Sequence, residues 1–258
     1  MHMGRSGFAR VAAVATTGAC CLAAAACAGG STTNPGAAPS ASSTADPLAS
    51  LTSDEIQAKA LADAGAASTL TIDGSVAQTG QTYTIDLAFK HGQGCAGTVG
   101  VGGEGTIKII EIGKTVYLNP DKQFWTANSG SEASAVIALV NGRYIQTTTT
   151  NKNAAGLADL CNVSQLLNGD AGSQSSSSPT TVTKGPVTTI GGTRVLELKD
   201  SDGSVAYVTD TSKPEIVTVT APKGTADGSG TITLTIGAPV TLSPPPASQV
   251  IAGSQLGF

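Results

Sequence analysis

The chain has 258 residues, enough for one large domain or two small ones, and its 40% hydrophobic, 12% charged and 3% aromatic content allows a core built from few large rings. Fourteen Lys and Arg against 18 Asp and Glu give a net charge of −4 with no basic run, which excludes a dedicated nucleic-acid binder. His2 and His91 are the only histidines, so a zinc site built on several imidazoles is excluded and a histidine-dependent active site would have to use His91. These counts favour a binding protein over a catalyst.

Arg5 and Arg10 precede an uncharged stretch from Val11 to Ala26, the pattern of a basic n-region, an apolar h-region and small residues at the end. The stretch is shorter than the roughly 20 apolar residues a spanning helix needs, and Thr16, Thr17 and Gly18 dilute it, so removal after export is expected over permanent anchoring by a helix. It ends Leu22-Ala23-Ala24-Ala25-Ala26-Cys27-Ala28-Gly29-Gly30, and small residues directly before a cysteine resemble the bacterial lipobox, with Ala24 where the usual pattern has Leu. That resemblance implies cleavage before Cys27 and diacylglycerol on its sulfur; the alternative is an ordinary signal cut by a non-lipoprotein peptidase. Acyl chains at ~0.8 kcal/mol per buried CH₂ would hold the protein at the outer face of the cytoplasmic membrane, palmitate-like chains being the type expected. Residues 28–50 are mostly Ala, Ser, Thr, Gly and Pro, with Asp46 as the only charge, the composition of a solvated tether spanning roughly 25–30 Å. The expected organisation is therefore a lipoprotein signal peptide over 1–26, a disordered tether over 27–50 and a single domain over 51–258.

Once the signal carrying Cys20 and Cys21 is removed and Cys27 is lipidated, Cys95 and Cys161 remain, an even pair outside the cytosol. A disulfide is expected, with two buried free thiols as the alternative. Loss of Arg5 and Arg10 takes the net charge from −4 to −6, so the domain as a whole is not drawn to acidic lipid head groups.

Thr52-Ser53-Asp54-Glu55 reads as a capping box that opens a helix with Ile56, Ala60, Leu61 and Ala64 on one stripe and Gly65 near its end. Strand alternation follows: Leu70, Ile72 and Val76 share one parity, and Tyr83, Ile85, Leu87 and Phe89 another, across a Gln78–Gln81 hairpin joint. Ala96–Val101, Thr106–Ile112 and Thr115–Leu118 continue the antiparallel series. Ile107 and Ile109 have one parity and Ile110 and Ile112 the other, so this strand is either covered on both faces or bulged. Between 120 and 168 the period turns helical. Ser129-Gly130-Ser131-Glu132 reads as a second capping box, Ala133–Val140 as a buried helix stopped by Asn141-Gly142, and Leu157, Leu160, Cys161, Leu166 and Leu167 as a stripe that turns Cys161 inward. After a polar connection over Gly169–Thr180, strands are expected at Thr181–Ile190, Thr193–Lys199, Ser204–Thr209, Ile216–Thr220, Thr231–Ile236 and Val240–Leu242. Strands, helices and strands again give an α+β class, a long antiparallel sheet with helices against one face.

Tempting motifs have plainer explanations. Gly100-Val101-Gly102-Gly103-Glu104-Gly105 matches G-x-G-x-x-G, but a strand follows where a dinucleotide fingerprint needs a helix. Asp200-Ser201-Asp202-Gly203 lacks the twelfth-position Glu of a calcium loop and suits a hairpin turn. His91 is expected to be an exposed loop residue. Phe124-Trp125 either lines a ligand site or plugs the core. No pattern calls for a metal, a cofactor or a catalytic residue.

The lipobox, tether, first helix, five antiparallel strands, helical insert and second strand set together resemble the LolA/LolB and LppX/LprG-type lipoprotein-carrier fold. More narrowly, Gly94-Cys95-Ala96-Gly97-Thr98-Val99, Ile110–Leu118, Phe124-Trp125 and Leu160-Cys161 are similar to a group of actinobacterial lipoproteins near that fold. The resemblance implies a curved antiparallel half-barrel whose concave face, covered by helices, holds acyl chains. Cavity-lining residues would then be Ile85, Leu87, Phe89, Ile107, Ile109, Val116 and Leu118 on the sheet, Trp125 after it, and Val136 and Leu139 on a covering helix. The expected function is non-enzymatic binding or carriage of a lipid or glycolipid. The alternative is a filled core that senses or scaffolds a cell-envelope protein.

Overall fold

The computed structural model describes residues 47–78, 80–152, 154–167, 181–223 and 228–256. The signal peptide, Cys27, most of the tether and the 169–180 connection lie outside the described residues. Leu48, which composition places in the tether, is fully buried in the core, and the Lys184 Nζ donates to its carbonyl at 2.8 Å. A lone leucine among small polar residues gains more from burial than its short segment loses in freedom.

The first helix, α1 (Ser53–Gly65), forms as its capping box dictates: Glu55 N–H donates to the Thr52 hydroxyl and Thr52 N–H donates to the Glu55 carboxylate. It buries Ile56, Ala60 and Ala64. Five strands follow as a meander, β1 (Thr69–Gln78), β2 (Gln81–Lys90), β3 (Gly94–Val101), β4 (Gly105–Ile112) and β5 (Thr115–Pro120). The middle of the chain then gives α2 (Lys122–Asn128), α3 (Ala133–Val140), β6 (Tyr144–Thr148), α4 (Ala155–Ala158), a 3₁₀ turn over Asp159–Cys161 and α5 (Val163–Leu167). The C-terminal half adds β7 (Val182–Ile190), β8 (Thr193–Asp200), β9 (Val205–Thr209), β10 (Ile216–Ala221), β11 (Ser229–Ile236) and β12 (Val250–Ala252).

The twelve strands among the described residues form one sheet in the order β12-β6-β5-β4-β3-β2-β1-β11-β10-β9-β8-β7, antiparallel except for the β12–β6 pair. The sheet does not close, since β12 and β7 are its two edges. Glycines let it curve. Gly74 and Gly97 adopt φ of 150° and 157°, and a Cβ there would lie 2.1 Å from the Thr231 carbonyl oxygen and 1.9 Å from that of Asp86, so neighbouring backbones approach where any side chain would keep them apart. Helix α1 and the α4–α5 insert cover the concave side.

Several expectations need correction. Residues 240–242 form no strand; Pro239 and Pro244–Pro246 remove the donors that a ladder needs. Strands β6 and β12 occupy segments without a strong alternating pattern. The second capping box does not form: Ser129 makes no side-chain cap, and Gly130–Glu132 is a 3₁₀ turn leading into α3. Helix α3 is not buried either, with only Ala133 and Val140 inside and Leu139 42% exposed. Strand β4 pairs with β3 and β5 in unbroken register, which removes the bulge; Ile110 and Ile112 are half-buried on the outer face.

Candidate functional site

The register of β1–β5 lines up rows on the concave face. Leu70, Phe89, Cys95, Glu111 and Val116 form one row, and Ile72, Leu87, Gly97, Ile109 and Leu118 the next. Of the expected cavity residues, Leu87, Phe89, Ile107, Ile109, Val116 and Leu118 are buried in one large cluster beneath α1 and the insert, with Ile85 partly buried against it. The middle of the concave face is therefore packed. Trp125 belongs to a separate cluster with Val140, Ile145 and Ile251, where Val136 is partly buried. The geometry thus splits nine of the ten residues between two clusters and leaves Leu139 exposed, and Val136 and Leu139 do not cover the main face as expected. Trp125 plugs the smaller core edge-on to Phe124, with ring centroids 5.5 Å apart.

The insert is joined to the sheet by a disulfide between Cys95 on β3 and Cys161 after α4, with a Cα–Cα distance of 5.3 Å. Beside it lies a pocket of about 310 Å³ between the end of α1, the turns that close β2–β3 and β4–β5, and the start of α5. Leu70, Phe89, Ala64, Ala67, Cys161 and Val163 give it an apolar lining, while Lys90, His91, Glu111, Asn162 and Ser164 supply polar groups. Phe89 alone among the expected cavity residues lines it. His91 is exposed in the turn after β2 and its N–H donates to the Ser68 carbonyl. A larger trough of about 570 Å³ lies at the β9–β11 turns and is lined by Gly203, Val205, Thr220 and Lys223 among others; it is shallow and open.

Glu111 has the parity of Ile107 and Ile109 and so points to the concave side, a signal readable in the sequence but masked there by the run of isoleucines. Its Oε2 is buried with no hydrogen-bond partner. Burial first, and the nearby Asp159 carboxylate second, push its pKa above the ordinary value. Asp121 is the opposite case. Burial raises its pKa, but hydrogen bonds from the N–H of Phe124 and from the hydroxyl and N–H of Thr106 outweigh that and hold it low. Asp121 thereby caps α2 and ties it to β4. Among the described residues no group of three or more His, Cys, Asp or Glu side chains could hold a metal ion, and no helix is long and apolar enough to cross a membrane.

No family model matches the sequence, and no curated protein matches it. Among solved structures the chain is similar to LprF from Mycobacterium bovis, with 14% identity, 75% of this chain and 96% of that one covered, and a TM-score of 0.47. It is also similar to a DUF1329 family protein from Desulfovibrio piger, at 10% identity, 72% and 93% coverage and a TM-score of 0.25. The LolA superfamily protein NE2245 from Nitrosomonas europaea matches at 11% identity, 77% and 96% coverage and a TM-score of 0.22. At such identities and TM-scores these likenesses carry no residue, ligand or role over to this chain.

Proposed function

We propose that the chain is a non-enzymatic lipoprotein held at the outer face of the cytoplasmic membrane through Cys27, whose domain binds the apolar chain of a lipid or glycolipid. The observation that carries this reading is the pocket of about 310 Å³ at the seam between α1 and α5, lined by Leu70, Phe89 and the Cys161 half of the disulfide. The helices around it carry half-buried apolar side chains, Leu61 on α1 and Val163, Leu166 and Leu167 on α5. Each methylene buried there contributes ~0.8 kcal/mol before ordering costs.

The volume sits at the lower end of the ~300–1,000 Å³ typical of ligand sites. A lipid with two long chains carries about thirty methylenes, and at about the 30 Å³ share of a water for each it needs about 900 Å³. The half-open pocket suits one chain or one chain end; a two-chain ligand requires α1 and the insert to part. Native mass spectrometry of the full chain released from membranes tests the reading: co-purifying acyl lipid is expected, and a ligand-free protein overturns it.

A second reading, a filled-core module that binds an envelope protein, is favoured by one observation: Leu87, Ile109, Val116 and Leu118 are sealed from solvent. Its sheet edges are poor docking strands. Pro186 and a register shift between Lys184 and Val187 interrupt β7, and β12 has three residues. A protein partner would have to use the loops, and capture of one envelope protein by a ligand-free chain is the result that would select this reading.

A further inference from the structure

Across β1–β5 the positions that face the concave side carry a single charged side chain, Glu111. Its neighbours across the register are Cys95 and Val116, neither of which can satisfy a carboxylate. A carboxylate oxygen shut away from water without a donor costs more than an ordinary lost hydrogen bond. Among the described residues no basic side chain lies within ion-pair distance of Glu111. Lys90 also lines the pocket, but it is the last residue of β2 and has the outward parity. Asp159 adds a second negative charge close enough to act on Glu111. A pocket of mixed apolar and polar lining therefore has in its wall a half-buried acid with one sealed oxygen that lacks a donor and, among the described residues, an ion-pair partner.

We propose that the pocket takes an alkylammonium group, a single apolar chain ending in a protonated amine, with the ammonium N–H groups donating to the Glu111 carboxylate and the chain lying against Leu70, Phe89 and Val163. This deepens the binding reading given above and rests on it. The cation counters the Glu111 charge, which Asp159 reinforces from outside the pocket, and satisfies the orphaned oxygen, whereas a carboxylate or phosphate head sets a further negative charge against Glu111. A neutral hydroxyl supplies one donor and no charge.

The test is calorimetric titration at neutral pH of the full chain carrying Cys27→Ser, which leaves every pocket residue in place, with octylammonium, octanol and octanoate below their aggregation concentrations. Octylammonium is expected to bind about tenfold or more tightly than either other probe. Glu111→Gln, nearly the same shape, is expected to remove that preference, so that octylammonium binds the variant no more tightly than octanol binds it. Should that variant fail to fold, the exposed Asp159→Asn gives a second reading, expected as a two- to threefold loss for octylammonium alone. Equal affinities for the three probes, or an undiminished preference in both variants, overturn the inference about the head group and leave the apolar pocket standing. Failure of every probe to bind the unaltered pocket overturns both.

Discussion

Replacing both Cys95 and Cys161 with alanine tests how the insert is held. The two cysteines are 66 positions apart, and closing a loop of that length removes about 4 kcal/mol of chain freedom from the unfolded state. Both sulfurs are buried, so their removal also forfeits some packing in the main cluster. A loss of about 3–5 kcal/mol is a large share of the ~5–15 kcal/mol by which domains are usually stable. Urea unfolding of the double variant and the parent, followed by far-UV circular dichroism and by Trp125 fluorescence, reads the difference. Because Trp125 lies in the smaller cluster, away from the disulfide, coincident transitions also show whether the sheet unfolds as one unit. A loss under about 1 kcal/mol, or two titratable thiols at these positions in the oxidised parent, refutes the reasoning.

Glu111→Gln should change the pH profile of stability. The folded pKa of Glu111 is raised, so the folded state binds its proton more tightly than the unfolded chain; that contribution is complete below the ordinary carboxylate range and is lost as pH rises through the raised value. The parent should therefore lose stability relative to the variant over that interval in thermal melts, and parallel profiles would contradict it. Asp121→Ala removes the cap of α2 together with its ties to Thr106, and should cost about 1–2 kcal/mol in urea unfolding. Leu87→Ala, in the sealed core, should cost about 2–5 kcal/mol, while Leu139→Ser, 42% exposed on α3, should stay within about 0.5 kcal/mol; similar losses would mean that α3 covers the main face after all.

Much of the sheet was legible because β1 and β2 alternate and turn residues separate the strands, so parity assigns Leu87 and Phe89 to the inner face, whereas the isoleucines of β4 fall on both parities and only its register places Ile107 and Ile109 inside. The even cysteine pair and the Thr52–Glu55 box were readable for the same reason, that the chemistry is local or countable. The Ala133–Val140 run misled because uniform apolarity does not say which face is covered. Helix α3 finds only a small cluster at the sheet edge and leaves Leu139 in solvent. Strand β12 owes its place to parallel pairing with a segment more than a hundred positions earlier, and no local pattern signals that. The pocket arises where the end of α1 meets the disulfide-tied insert, a juxtaposition created by tertiary packing, and Glu111 was hidden among isoleucines until the register placed it in the wall.

The most direct test of the binding reading is to locate an apolar ligand on the protein. With a fatty chain carrying a nitroxide label and an isotope-labelled full chain with Cys27→Ser, paramagnetic broadening should concentrate on Leu70, Phe89, Ala64 and Val163, the lining of the seam between α1 and α5. Broadening confined to the trough around Val205, Thr220 and Lys223, or none above that of a free label, would contradict the account.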